Sequence, residues 1–198
     1  MIKLFFGSIV AAVAMFITGF IFFATPLGQI AYSGTGEAQS AAVQTALAAN
    51  LPTTGTYMIP DPSTQSGTTL YGKGPVAMVH YNSHGFSLES VSGVINGFIL
   101  DLVVAVLLAG ALSTIDRRIP DFSSRAKIVI LFSIAASALI CLGDPIWLRQ
   151  DWRYALYAFI GDGAMLIVAG LVLVRWFMPV AAEMPSPAIE QPQEPTSR

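Results

Sequence analysis

Four long apolar runs divide the chain: Leu4 to Thr25, Val91 to Ile115, Ile128 to about Gly143 with an extension toward Trp147, and Tyr154 to Met178. A helix needs about 20 apolar residues to cross the hydrocarbon core. Each run therefore predicts a membrane-spanning helix. The first is longer than the apolar part of a secretory signal, which covers about 7–15 residues before a small-residue cleavage site. It reads as an anchor, and Gly7, Ala11, Ala14 and Thr18 fall on one of its faces as a packing seam.

Between the first two runs the pattern changes. Glu37 to Asn50 is rich in helix formers and ends before Pro52. Thr56 to Ile59 predicts a short extended piece, Ser63 to Thr69 a polar loop, and Pro75 to Tyr81 a strand pairing with the earlier one. Asn82 to Gly85 reads as a turn. The expected product is a small α+β cap over the outer mouth of the bundle, with too little core to be stable alone. Beyond the last run, the proline- and glutamate-rich tail lacks the residues to bury a core and is expected to be disordered.

The predicted fold class is an all-α membrane protein, a four-transmembrane-helix bundle with a small α+β extracytoplasmic insertion between helices 1 and 2. The segments are 1–25 (helix 1), 26–90 (insertion), 91–178 (helices 2–4, with a basic loop at 116–127) and 179–198 (tail).

Composition sharpens this picture. Hydrophobic residues make up 54% and charged residues 11% of the chain, against about 25% charged in soluble domains. The net charge of −2 argues against a nucleic-acid partner, which calls for a clustered basic surface. The single cysteine, Cys141, excludes an intramolecular disulfide and cysteine-rich zinc sites. Arg117, Arg118, Arg125 and Lys127 crowd the short loop between the second and third runs, with Lys3 before the first and Arg175 at the end of the fourth. Only Lys73, Arg149 and Arg153 lie on the other side. The positive-inside rule then predicts both termini and the basic loop to be cytoplasmic. Trp147, Trp152, Tyr154 and Tyr157, and at the other end Trp176 and Phe177, read as interfacial anchors.

Two carboxylates lie inside apolar runs. Asp101 sits in the second and Asp162 in the fourth. An acid at bilayer depth costs about 2.5–3.5 kcal/mol on insertion scales and faces protein or water rather than lipid. Gly93, Gly97, Asp101, Ala105 and Ala109 recur every four residues as a helix-packing stripe, and Asn96 lies one step away. In the fourth run Ala155, Ala158, Asp162 and Ala169 share a face, with Gly161 and Gly163 flanking the acid. Ser133, Ser137 and Asp144 lie roughly on one face of the third. Measured from the outer ends, Asp101 lies about 16 Å and Asp162 about 13 Å along their helices. The two fit a shared proton or cation site, or, alternatively, structural locks on helix pairing.

His80 and His84 are spaced H-x-x-x-H, but one falls on a predicted strand and the other in a turn. Two imidazoles fall short of a closed metal site, so no metal or other cofactor is expected. No nucleophile elbow, phosphate loop, dinucleotide fingerprint or zincin pattern is present. An enzyme would have only Asp144, His80 and His84 to draw on, and no catalytic residue is assigned.

Beyond these readings, the layout resembles a family of bacterial inner-membrane proteins with four spans and no assigned function. The resemblance is carried by the alanine-rich stretch Ala41 to Asn50, Gly55-Thr56-Tyr57 leading to Pro60, Gly74-Pro75-Val76-Ala77, and the tryptophan-rich patch before the run carrying Asp162. It covers most of residues 1–178, leaves out the tail, and implies an integral inner-membrane protein without adding a mechanism. The expected role is a non-enzymatic accessory or scaffold acting through helix packing. Its partners would be the lipid bilayer and either a second copy or another membrane protein. The alternative is a proton- or cation-coupled transport component using Asp101 and Asp162.

Overall fold

The computed structural model describes residues 2–87, 90–116 and 118–178; the tail read as disordered lies outside these. The chain divides into two compact units, one drawn from Met1–Tyr32 and Gly93–Arg198, the other from Ser33–Ser92. Four helices are long and apolar enough to span a membrane: α1 (Ile2–Gly19, continued by a π-helical turn Phe20–Ala24), α4 (Val91–Ile115), α5 (Phe122–Trp147) and α6 (Trp152–Val172, continued by a second π-helical turn Leu173–Phe177). The all-α membrane class with a small inserted two-stranded sheet is thus what the chain adopts.

In the membrane unit α6 is the central element. It buries a larger share of its length than the other three and packs against both α1 and α5. Glycine makes those approaches possible, because lipid offers helices no hydrophobic drive to associate and close van der Waals contact must supply it. A Cβ on Gly170 would lie 2.5 Å from a Val129 methyl carbon of α5. Toward α1 the contacts are reciprocal. Phe177, in the π-turn of α6, covers Gly7, where a Cβ would lie 2.6 Å from its ring. Phe23, in the π-turn of α1, covers Gly161, where a Cβ would lie 2.7 Å from its ring. The two helices are antiparallel, and each ends in a turn whose aromatic ring fills the notch left by a glycine on the other. A π-turn also releases carbonyls from the helical ladder. Tyr157 of α6 donates its hydroxyl to the Phe22 carbonyl at 2.5 Å, and its ring packs edge-on against Phe22 and Phe23.

The expected seam on α1 is shifted by one residue from the predicted one. Gly7 and Ala11 are buried as predicted, but Ser8, Ala12, Met15 and Gly19 complete the face, with Ala14 and Thr18 at its margin. Helix α4 joins the core through Asp101, Ala105, Ala109 and Leu112, and through an edge-on contact of Phe98 with Phe16 at 5.8 Å between ring centroids.

The second unit contains α2 (Glu37–Asn50), β1 (Gly55–Ile59), α3 (Gln65–Lys73) and β2 (Ala77–Tyr81). The strands pair antiparallel, Gly55 opposite Tyr81 and Ile59 opposite Ala77. Residues 65–69, expected as part of a loop, begin a helix instead. Thr64 caps it by accepting from the Gly67 amide at 3.0 Å. Gly74 ends it at a positive φ of 67°, which glycine adopts without steric cost. Gly67 is also the one fully buried residue among these four elements. Its missing side chain is required, since a Cβ there would overlap the Asp61 carbonyl. With no buried side chain among its described residues, this unit holds its shape by turns, caps and strand pairing rather than by a core.

Candidate functional site

The polar side chains of the membrane unit fall into three groups. The first lies at the loop joining α4 and α5. Arg125, in the first turn of α5, is only 2% exposed. Its guanidinium donates from Nε to the Ile119 carbonyl, from Nη2 to the Asp116 carbonyl at 2.8 Å, and from Nη1 to the Met178 carbonyl at 2.9 Å. Nη2 also stands 2.7 Å from Asp116 Oδ1 as an ion pair, out of line for an added hydrogen bond. One side chain thus ties the α4–α5 loop, the start of α5 and the end of the α6 segment. The planar five-donor fork of arginine suits this task, and a lysine could not reproduce it. Composition had assigned Arg125 to the basic loop alone. The missed signal was spacing: Arg125, Val129, Ser133 and Ser137 recur every four residues and are all buried.

The second group is the pair of intramembrane acids. Asp101 is 7% exposed, in the buried stripe of α4 with Ala105 and Ala109. Among the described residues no hydrogen bond or ion pair reaches its carboxylate. Asp162 is half-buried on α6, where Cys141 of α5 donates its thiol to Oδ2 at 3.4 Å. No hydrogen bond among the described residues links the two acids. Close by, Ser137 donates to the Ser133 carbonyl at 2.8 Å, and a Cβ on Gly163 would stand 3.5 Å from the Ser137 hydroxyl. Asp144, expected beside these serines, is exposed.

The third group lies on the opposite side of α4. Gly93, Asn96, Leu100, Val103 and Leu107 follow one another at spacings of three and four, and all are exposed. Gly93 and Asn96 therefore belong to the outward face, not to the buried stripe. Gly97 is half-buried; a Cβ there would meet only the Phe16 ring at 3.9 Å, ordinary van der Waals contact. The close packing of α4 thus runs from Asp101 through Leu112, while above it Gly97 is half-buried and Gly93 exposed.

Tyr154 and Tyr157, read as interfacial anchors, have internal partners: Tyr154 packs against Tyr32 at 5.4 Å between ring centroids, and Tyr157 against the α1 π-turn. Trp147, Trp152 and Trp176 are exposed. In the second unit, His80 Nδ1 meets the Thr56 hydroxyl at 3.1 Å and His84 Nδ1 the Ser83 hydroxyl at 3.0 Å. Among the described residues no three His, Cys, Asp or Glu side chains converge as metal ligands. Outside the spans, the Ser63 amide holds the Asp61 carboxyl below the usual carboxylate range, and the Ser124 amide does the same for Asp121, the N-cap of α5.

By length and composition of its helices, the fold defines a multi-pass membrane protein. No family model, curated protein or solved structure matches the chain.

Proposed function

We infer that the protein is a non-enzymatic accessory or scaffold of the bacterial inner membrane, with both termini and the basic loop cytoplasmic. On this reading it acts by lateral packing of α4 against a second copy or another membrane protein. The observation that carries this reading is Asn96. Its amide lies exposed on an otherwise apolar outward face, with Gly93 one turn before it and Leu100 one turn after. An amide facing lipid is costly, and interhelical hydrogen bonding relieves it. A glycine beside it lets a partner backbone come close.

The test is extraction of the full chain from native membranes into nanodiscs, followed by a mass measurement. The reading expects a particle larger than one 21.0 kDa chain, reduced to single chains by Asn96→Leu. Single chains throughout contradict it.

One observation favours a second reading: the buried Asp101 carboxylate has no partner among the described residues. Such a group suits a proton carrier. Proton flux in liposomes that disappears with Asp101→Asn supports that role, and absence of flux in both proteins removes it.

A further inference from the structure

An apolar groove of about 370 Å³ opens between α4 and α5 at their basic-loop end. Its walls include Leu108 and Ile115 of α4, Ile128, Phe132 and Ala136 of α5, and Leu166 of α6. Its volume falls in the range of about 300–1,000 Å³ typical of small-molecule sites. Leu108 to Ile115 and Ile128 to Ala136 each span about 10–12 Å of helix axis. The groove is therefore two helical turns deep. Its lining is almost wholly carbon, with Ser133 the exception.

The charges of the adjoining α4–α5 loop and α5 start are unevenly committed. Arg125 is buried and spends its donors on three carbonyls and Asp116. Asp116 is thereby neutralised, and the Asp121 carboxylate is held by the Ser124 amide and lies within Coulombic range of Lys127. Arg118 and Lys127 remain exposed. Arg118 follows the groove residue Ile115 by three positions, and Lys127 directly precedes the groove residue Ile128.

An apolar slot with two exposed cations, Arg118 and Lys127, adjoining it in sequence at the basic-loop end suits an anionic phospholipid, acyl chain inward and phosphate at the mouth. A partner helix fits less well. It would need small residues over several turns, whereas Ile115, Ile128 and Phe132 hold a backbone away from the entrance. We propose that this groove is a binding site for a membrane phospholipid with an anionic headgroup. The inference needs only that the bundle sits in a membrane and stands apart from the scaffold and transport readings.

The experiment uses the purified full chain in mild detergent, with phosphatidylglycerol and phosphatidylcholine offered at equal mole fraction. Retained lipid is counted by native mass spectrometry and thermal melting is followed in parallel. Phosphatidylglycerol should be retained preferentially, by about fivefold per cation at low salt. The double variant Arg118→Gln, Lys127→Gln should lose the preference but still retain lipid. Ala136→Phe, which fills the groove, should retain neither lipid. Its melting transition without lipid should persist, which separates a blocked site from a misfolded chain. Equal retention of both lipids by the wild type overturns the proposal. So does a preference that survives the double variant, or stabilisation by inorganic phosphate equal to that by phosphatidylglycerol. Loss of a protein complex rather than of lipid in Ala136→Phe would assign the groove to a partner helix and also overturn it.

Discussion

Helices α4 and α6 carry similar sequences to different ends. Each has small residues at helical spacing around a single aspartate. In α6 the small residues meet bulky neighbours: Phe23 at Gly161, Val129 at Gly170, and the Ser137 hydroxyl near Gly163. In α4 only Asp101, Ala105, Ala109 and Leu112 are buried, and Gly93 is exposed. A small-residue stripe thus permits close approach without causing it. What makes a seam is a partner side chain of complementary bulk at the right height, and α1 and α5 supply those to α6. The aspartates differ in the same way. Asp162 has a thiol donor from α5, whereas Asp101 lies buried with no partner among the described residues.

The contrast can be broken most forcefully at the Arg125 staple below α6. Arg125→Met strands three carbonyls and the Asp116 carboxylate, and should destabilise the bundle by about 3 kcal/mol. Arg125→Lys should restore only part of it. Thermal melting in detergent measures both. Next comes the glycine comparison. Gly170→Ala forces a Cβ against the stiff, β-branched Val129 and should cost about 1–3 kcal/mol. Gly97→Ala meets only a ring edge and should change stability by less than about 0.5 kcal/mol. Equal losses at the two glycines would erase the distinction between the helices. Tyr157→Phe removes one donor to a released carbonyl, an expected loss of about 1 kcal/mol.

The smallest effect is a pH dependence at the α4–α5 loop. The folded Asp121 carboxyl titrates below its unfolded value because it accepts from the Ser124 amide. Its contribution is therefore full above the unfolded pKa of about 3.9 and fades as pH falls through the lower folded value. Asp121→Asn keeps the cap without the charge and should flatten that acid limb of the melting curve.

The spans were legible because bilayer thickness fixes both their length and their apolarity. Val91–Ile115 is a helix at the bounds read from sequence, and α1 differs by two residues at its start. Helix α5 begins at Phe122 rather than Ile128. The polar stretch Phe122 to Lys127 hid its first turn, because the charge of Arg125 is absorbed by carbonyls distant in sequence. Helix α3 was missed because threonines and glycines suggest a loop; its cap at Thr64 and stop at Gly74 were readable, but the need for Gly67 arises only from the Asp61 carbonyl above it. For the candidate site, periodicity showed that Asp101, Ala105 and Ala109 share a face. It also assigned Gly93 and Gly97 to that face, since a four-residue step drifts around a 3.6-residue helix. Which face meets protein depends on the neighbouring helices, and the pattern of one helix does not contain that.

The functional account rests on α4 offering its outward face while the packed face of α6, with Ala169 on it, is closed. Single cysteines placed at Leu100 or Leu107 on α4, and at Ala169 on α6, in a Cys141→Ala background, test this in native membranes by oxidative cross-linking. Leu100 and Leu107 are 63% and 67% exposed, and Ala169 is 0% exposed. The account predicts cross-linked adducts from the α4 positions and none from Ala169. Adducts from Ala169, or none from either α4 position, would contradict it.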